Sequence, residues 1–146
     1  EYGNRMAEII DFEVVDDKGV RSNTIEKGSS FRICMKVRFN EDIQEPIMAY
    51  TFKNIKGTEI TGTNTMFEKV QVEKSGKGDV CTAIFTQEMN LQGGEDLLSF
   101  GCTGYKDGDF TVFHRLYDAC NITVVSAKNT VGFYDMNSRV EIQCED

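Results

Sequence analysis

Phe31-Arg32-Ile33-Cys34-Met35-Lys36-Val37-Arg38-Phe39-Asn40 decides the architecture. Phe31, Ile33, Met35, Val37 and Phe39 recur at period two, with Arg32, Cys34, Lys36, Arg38 and Asn40 between them. Successive side chains of a strand point to opposite faces, so one face meets a core and the other carries three cations to water. Upstream, Ala7 to Val15 also alternates, and Asp16-Asp17-Lys18-Gly19 supplies a hairpin turn before Val20-Arg21. Downstream, Glu41 to Glu45 is an acidic connection that ends where Pro46 forces the chain extended.

The same pattern continues along the chain. In Ile47 to Ile55, Met48, Tyr50 and Phe52 are predicted inward, and Ala49, Thr51 and Lys53 outward. Lys56-Gly57 turns this strand into a hairpin that ends at a Gly62-Thr63-Asn64-Thr65 corner, whose side chains are suited to holding backbone groups. Phe67 to Glu73 reads as a short strand or an irregular segment, and Ser75 to Asp79 as a turn. Val80 to Asn90 is a strand with apolar residues on both faces, so its orientation is open. In Leu97 to Tyr105, Leu98, Phe100 and Cys102 alternate with Ser99, Gly101 and Thr103. After a turn at Tyr105 to Asp109, strands are predicted over Phe110 to Leu116, Asn121 to Val125 and about Arg139 to Cys144. No segment holds helical periodicity over three turns. Eight or more short strands with polar turns predict an all-β, immunoglobulin-like antiparallel β-sandwich.

Composition narrows the function. The 146 residues are expected to form a single domain, 1–146, large enough for one core. A net charge of −8 disfavours nucleic acid and anionic membrane surfaces as partners, and tilts any glycan ligand towards a neutral one. There is no Gly-x-x-x-x-Gly-Lys-[Ser/Thr] phosphate loop, and the first residue is Glu1, so the chain is expected to be a fragment of a longer protein. Cys34, Cys81, Cys102, Cys120 and Cys144 stand singly, which favours reduced thiols and a cytosolic setting. One histidine, His114, leaves no His-pair metal site. The acids cluster in turns such as Asp16-Asp17 and Glu95-Asp96, where they are ordinarily solvated. Neither an enzyme nor a cofactor or metal is expected.

An ordered set of segments carries a resemblance. Tyr2-Gly3-Asn4 precedes Ala7 to Val14, and Glu26-Lys27-Gly28 leads into Phe31 to Phe39. Pro46 to Gly57 and Thr63-Asn64-Thr65 follow, then Leu91 with Gly93-Gly94, Leu97 to Thr103, and Asp118 to Val124. Together, over roughly residues 2 to 125, they resemble the C-terminal polysaccharide-binding domain of the ATPase subunit of O-antigen ABC transporters, the Wzt family. The resemblance implies non-catalytic recognition of a bacterial cell-surface polysaccharide as export cargo, with ATP hydrolysis in a half outside this chain. It also implies a cytoplasmic domain, membrane-associated through the transporter complex, whose missing ATPase half contacts a transmembrane permease subunit. It implies a homodimer too, in some members through exchange of the C-terminal strand, for which Ser126 to Ser138 would serve as the hinge here. The alternatives are a carbohydrate-binding or adhesion module of an extracellular protein, and a protein-interaction β-sandwich.

A polysaccharide site needs a shallow groove, matched donors and acceptors, and aromatic faces for C–H stacking. Ala49, Thr51, Ser99, Gly101 and Thr103 form such a floor if their strands share a sheet. Lys36, Arg38 and Lys53 would donate at its edge and Tyr105 would stack. His114, Arg115 and Tyr117, with Asp118, add polar and aromatic groups near a strand end. Against this, an outward charged stripe is ordinarily just a solvated sheet face.

Overall fold

The computed structural model describes residues 1–145, which form eight strands and no helix. They are β1 (Ala7–Val15), β2 (Thr24–Glu26), β3 (Ser30–Phe39), β4 (Ile47–Asn54), β5 (Glu59–Asn64), β6 (Val80–Glu88), β7 (Gly94–Lys106) and β8 (Asp109–Val125). One sheet has the order β1-β3-β6 and the other β2-β8-β7-β4-β5. Phe31, Ile33, Met35, Val37 and Phe39 are buried, as their period requires, and face Met48, Tyr50, Phe52, Leu98 and Phe100 in one core. Phe12 of β1 packs on Phe100 of β7 and Tyr50 of β4 on Phe85 of β6, each pair with ring centroids 5.0 Å apart, so aromatic side chains join the two layers. The fold is the expected β-sandwich.

Several local features follow from the turns. Asp16 Oδ1 accepts the backbone N–H groups of Lys18 and Val20 and closes the β1 hairpin turn. At the Thr63-Asn64-Thr65 corner, Asn64 Oδ1 accepts the Phe67 N–H at 2.7 Å, and Thr65 Oγ1 accepts the buried Met48 N–H at 3.1 Å. Both bonds satisfy donors left over where the sheet ladder stops.

The structure departs from the expected strands in three places and settles one that was open. β2 pairs in parallel with β8 through Ile25 and Val124, the one exception among the described residues to antiparallel pairing. Phe67 to Glu73, open between a short strand and an irregular segment, is irregular. Phe110 to Leu116 and Asn121 to Val125 are one continuous strand, β8, interrupted by bulges rather than a break. Arg139 to Cys144 is not a strand, because it has no partner backbone to form a ladder; Val140 and Ile142 are 83% and 81% exposed.

The stretch before that tail is pinned rather than loose. Lys27 Nζ lies 2.9 Å from Asp135 Oδ2 in a nearly buried ion pair, and Lys128 Nζ approaches the same oxygen at 3.1 Å. The Asp135 N–H donates to Asn90 O, and Gln92 exchanges two hydrogen bonds with Thr130. Beyond Asn137, whose φ is +53°, no hydrogen bond ties a described tail residue to the sandwich. The stretch Ser126 to Ser138, expected to be loose, is thus tied to the sandwich through Lys128, Thr130 and Asp135.

Candidate functional site

β4 and β7 pair with Ala49 opposite Gly101 and Thr51 opposite Ser99, so the five small residues share one outer face. Together they floor a groove of about 430 Å³ that runs along the strands. From Ser99 to Tyr105 the floor spans seven residues of β7, roughly 20 Å at the usual rise of a strand. Small side chains leave the trough open, and aromatic rings stand at both ends.

The Tyr117 end is built by a bulge. Leu98 pairs with Cys120 and Phe100 with Leu116, so Tyr117, Asp118 and Ala119 of β8 face Ser99 alone. Asp118 takes a φ of +51°, and its N–H donates to Ser99 Oγ at 2.8 Å. The extra residues bring Tyr117 to the groove and Asp118 to the groove-lining Lys53, as bulges commonly re-aim side chains at sites. There Lys53 Nζ pairs with Asp118 Oδ1 at 2.9 Å and lies 5.8 Å from the Tyr117 ring centroid. Ser99 accepts from Asp118 and keeps its own hydroxyl proton free to donate.

The other end follows from a tight turn. Asp107-Gly108 puts Tyr105 opposite Phe110, and their rings meet edge to face with centroids 5.8 Å apart. Tyr105, Phe110 and Tyr117 are 50%, 56% and 53% exposed, unusually open for aromatic side chains in a sheet. Arg115 lies between the two ends, its Cγ against Gly101, and its side chain makes no hydrogen bond or ion pair among the described residues. Lys53, by contrast, is held by Asp118 and faces Glu59 across the β4–β5 ladder.

Seven predicted residues converge here: Thr51, Lys53, Ser99, Thr103, Tyr105, Arg115 and Tyr117. Three do not. Lys36 and Arg38 belong to β3 in the opposite sheet, where Lys36 faces Asp11 and Arg38 lies 3.7 Å from Glu8. Alternation gave their face correctly but could not say which sheet they belong to. His114 is turned inward and 3% exposed. Cys102 pairs with His114 and Thr103 with Val112, leaving Phe113 as an extra residue, and this second bulge buries both Phe113 and His114. The Ile9 N–H donates to His114 Nδ1 at 2.8 Å, which leaves the ring proton on Nε2 for Glu1 Oε1 at 2.9 Å. That hydrogen bond, helped by Arg5, holds the Glu1 carboxyl below its usual range.

Against this geometry stand the known proteins. A family model described as the Wzt C-terminal domain matches residues 1–136. The chain belongs to the Wzt C-terminal domain family. The crystal structure of the C-terminal domain of wzt matches with a TM-score of 0.86 at 26% identity, over 97% of this chain and 87% of that one. A beta-glucosidase from Listeria innocua in complex with gluconolactone matches with a TM-score of 0.44 at 13% identity, over 86% of this chain and 17% of that one, too distant to carry an argument. No curated protein matches the chain. Membership sets this Wzt C-terminal domain in the context of polysaccharide transport, as a part distinct from the ATPase. No helix is long and apolar enough to cross a membrane, and no group of three His, Cys, Asp or Glu among the described residues could hold a metal.

Phe110, Met66, Asn64 and Glu59 also line the groove and were not anticipated. Phe110 had a signal: a two-residue Asp107-Gly108 turn necessarily sets residue 110 opposite 105. Met66 had none, since it reaches the groove through the fold of the Thr65–Val70 turn.

Proposed function

We propose that this Wzt C-terminal domain binds a bacterial cell-surface polysaccharide of the O-antigen type in the β4–β7–β8 groove, as cargo for ABC-transporter export. The observation that carries the reading is a trough of small residues between exposed aromatic rings. Sugar rings present apolar C–H faces that stack on Tyr105, Phe110 and Tyr117, while their hydroxyls meet Ser99, Thr51, Thr103, Arg115 and Lys53. Asp118 is engaged by Lys53, which supports a binding role for this end of the groove over an acid–base one. The parent protein would be an ABC ATPase subunit that contacts a permease through its ATPase domain at the cytoplasmic face of the membrane. Its C-terminal domains would dimerise by exchange of the tail beyond Asn137, whose exposed Val140 and Ile142 are unpaired in the monomer.

The test is an array of bacterial surface polysaccharides probed with the native domain and with a Tyr105/Arg115/Tyr117 triple alanine variant. Selective binding by the native protein that the variant loses supports the reading. Binding retained by the variant moves the site elsewhere, and a folded native protein that binds no glycan favours a protein-interaction role.

A further inference from the structure

The groove does not end at Tyr105. At the Ile47 end it opens, in line with the strands, into a second cleft of about 880 Å³. Ile47, Met66 and Tyr105 line both spaces, so Tyr105 stands at a junction rather than at an end wall. The far wall of the cleft is the irregular segment after β5. It is firmly rooted: the Val70 N–H donates to Thr65 O, the Glu68 N–H to Asn64 O, and Thr63 Oγ1 to Glu68 Oε2 at 2.6 Å. With the two side-chain bonds at Asn64 and Thr65, the Thr63-Asn64-Thr65 corner fixes an overhang that presents Met66 and Val70 outward.

We propose that this cleft is a second glycan subsite, which takes the next residues of the same extended chain that fills the groove. The inference rests on the groove reading above. Its occupant is argued from continuity: a polymer leaving the groove past Tyr105 along the strand direction passes beneath the overhang. The chemistry also fits a sugar, because the apolar Met66 and Val70 can meet a ring face while Lys69, Gln71 and Glu73 offer hydroxyl partners. Binding through both spaces makes affinity depend on chain length, so the domain would favour polymer over short precursors.

The probe is a ladder of size-fractionated fragments, made by partial acid hydrolysis of the O-polysaccharide of the cells that produce this protein. Affinities are measured by calorimetry for the native domain and for Val70→Ala and Val70→Glu, at an exposed residue that lines only the second cleft. The native protein should bind short fragments weakly and gain about tenfold once fragments outgrow the first groove, a step equivalent to burying one apolar side chain. Both variants should bind short fragments as the native domain does and lose that step. Native affinity that is flat with length, or a step unchanged in both variants, would overturn the second subsite while leaving the groove intact. If no fragment of any length binds, the groove reading falls and this inference falls with it.

Discussion

Asp96 is the one carboxyl on the inner face of β7, in line with Leu98, Phe100 and Cys102. Burial pushes its pKa up, and the neighbouring Glu95 adds to the shift. A carboxyl whose folded pKa exceeds its unfolded value favours the fold at low pH and loses that contribution as pH rises through the folded pKa. Asp96→Asn should therefore raise the urea midpoint at neutral pH, and the gain should vanish below the ordinary Asp pKa of about 3.9. Asp135 has the opposite sign. Lys27, then the Asn137 N–H and Lys128, hold it well below the usual range, so its contribution is present at neutral pH and fades as pH falls through that lowered pKa. Asp135→Asn should lower the urea midpoint at neutral pH, with a smaller loss in acid. Cys102, fully buried with its thiol pushed up to about 12, should stay unreactive to alkylating agents until the protein unfolds. Two glycines separate floor from fold. A Cβ on Gly101 meets only Arg115 Cγ at 3.7 Å, whereas one on Gly62 falls 2.6 Å from Tyr50 O. Gly101→Ala should keep or raise the melting temperature while weakening glycan binding. Gly62→Ala should destabilise by about 1–3 kcal/mol, as overpacking does.

At the scale of elements, the β8 bulge is the part most exposed to test. Ser99→Ala removes the acceptor of the Asp118 N–H, at a cost of about 1 kcal/mol in stability. It should weaken glycan binding more than a floor substitution of similar size, because Tyr117 and the Lys53–Asp118 pair lose their support; calorimetry on Ser99→Ala and Thr51→Ala compares the two. The same bulge explains what was legible. β3, β4 and β7 show their faces because each alternates cleanly, and the groove floor came directly from that alternation. β2 was invisible, because three residues carry no period and a parallel partner about a hundred positions away leaves no local mark. Within β8, Tyr117-Asp118 reads as a gap between strands, since a bulge and a break look alike in sequence. The tail shows the reverse error: Val140 and Ile142 have strand period, yet period alone supplies no ladder partner.

For the whole molecule, deleting residues 138–146 should leave a folded monomer, because everything up to Asn137 is anchored without them. Light scattering checks this: a native dimer that becomes a monomer on deletion supports strand exchange, and a dimer that survives it removes the tail from the interface. One consequence reaches past any single ligand. In β4 and β7 the even-numbered side chains, such as Met48, Phe52, Leu98 and Cys102, close the interior, and the odd-numbered ones from Ala49 to Lys53 and Ser99 to Tyr105 line the groove. The two strands thus carry two interleaved texts, one that specifies the fold and one that, on the proposed reading, meets the cargo. Apart from Ser99, which also holds the β8 bulge, the second can be rewritten letter by letter while the first stays untouched, so on that reading a single scaffold could be turned to a new polymer without being redesigned.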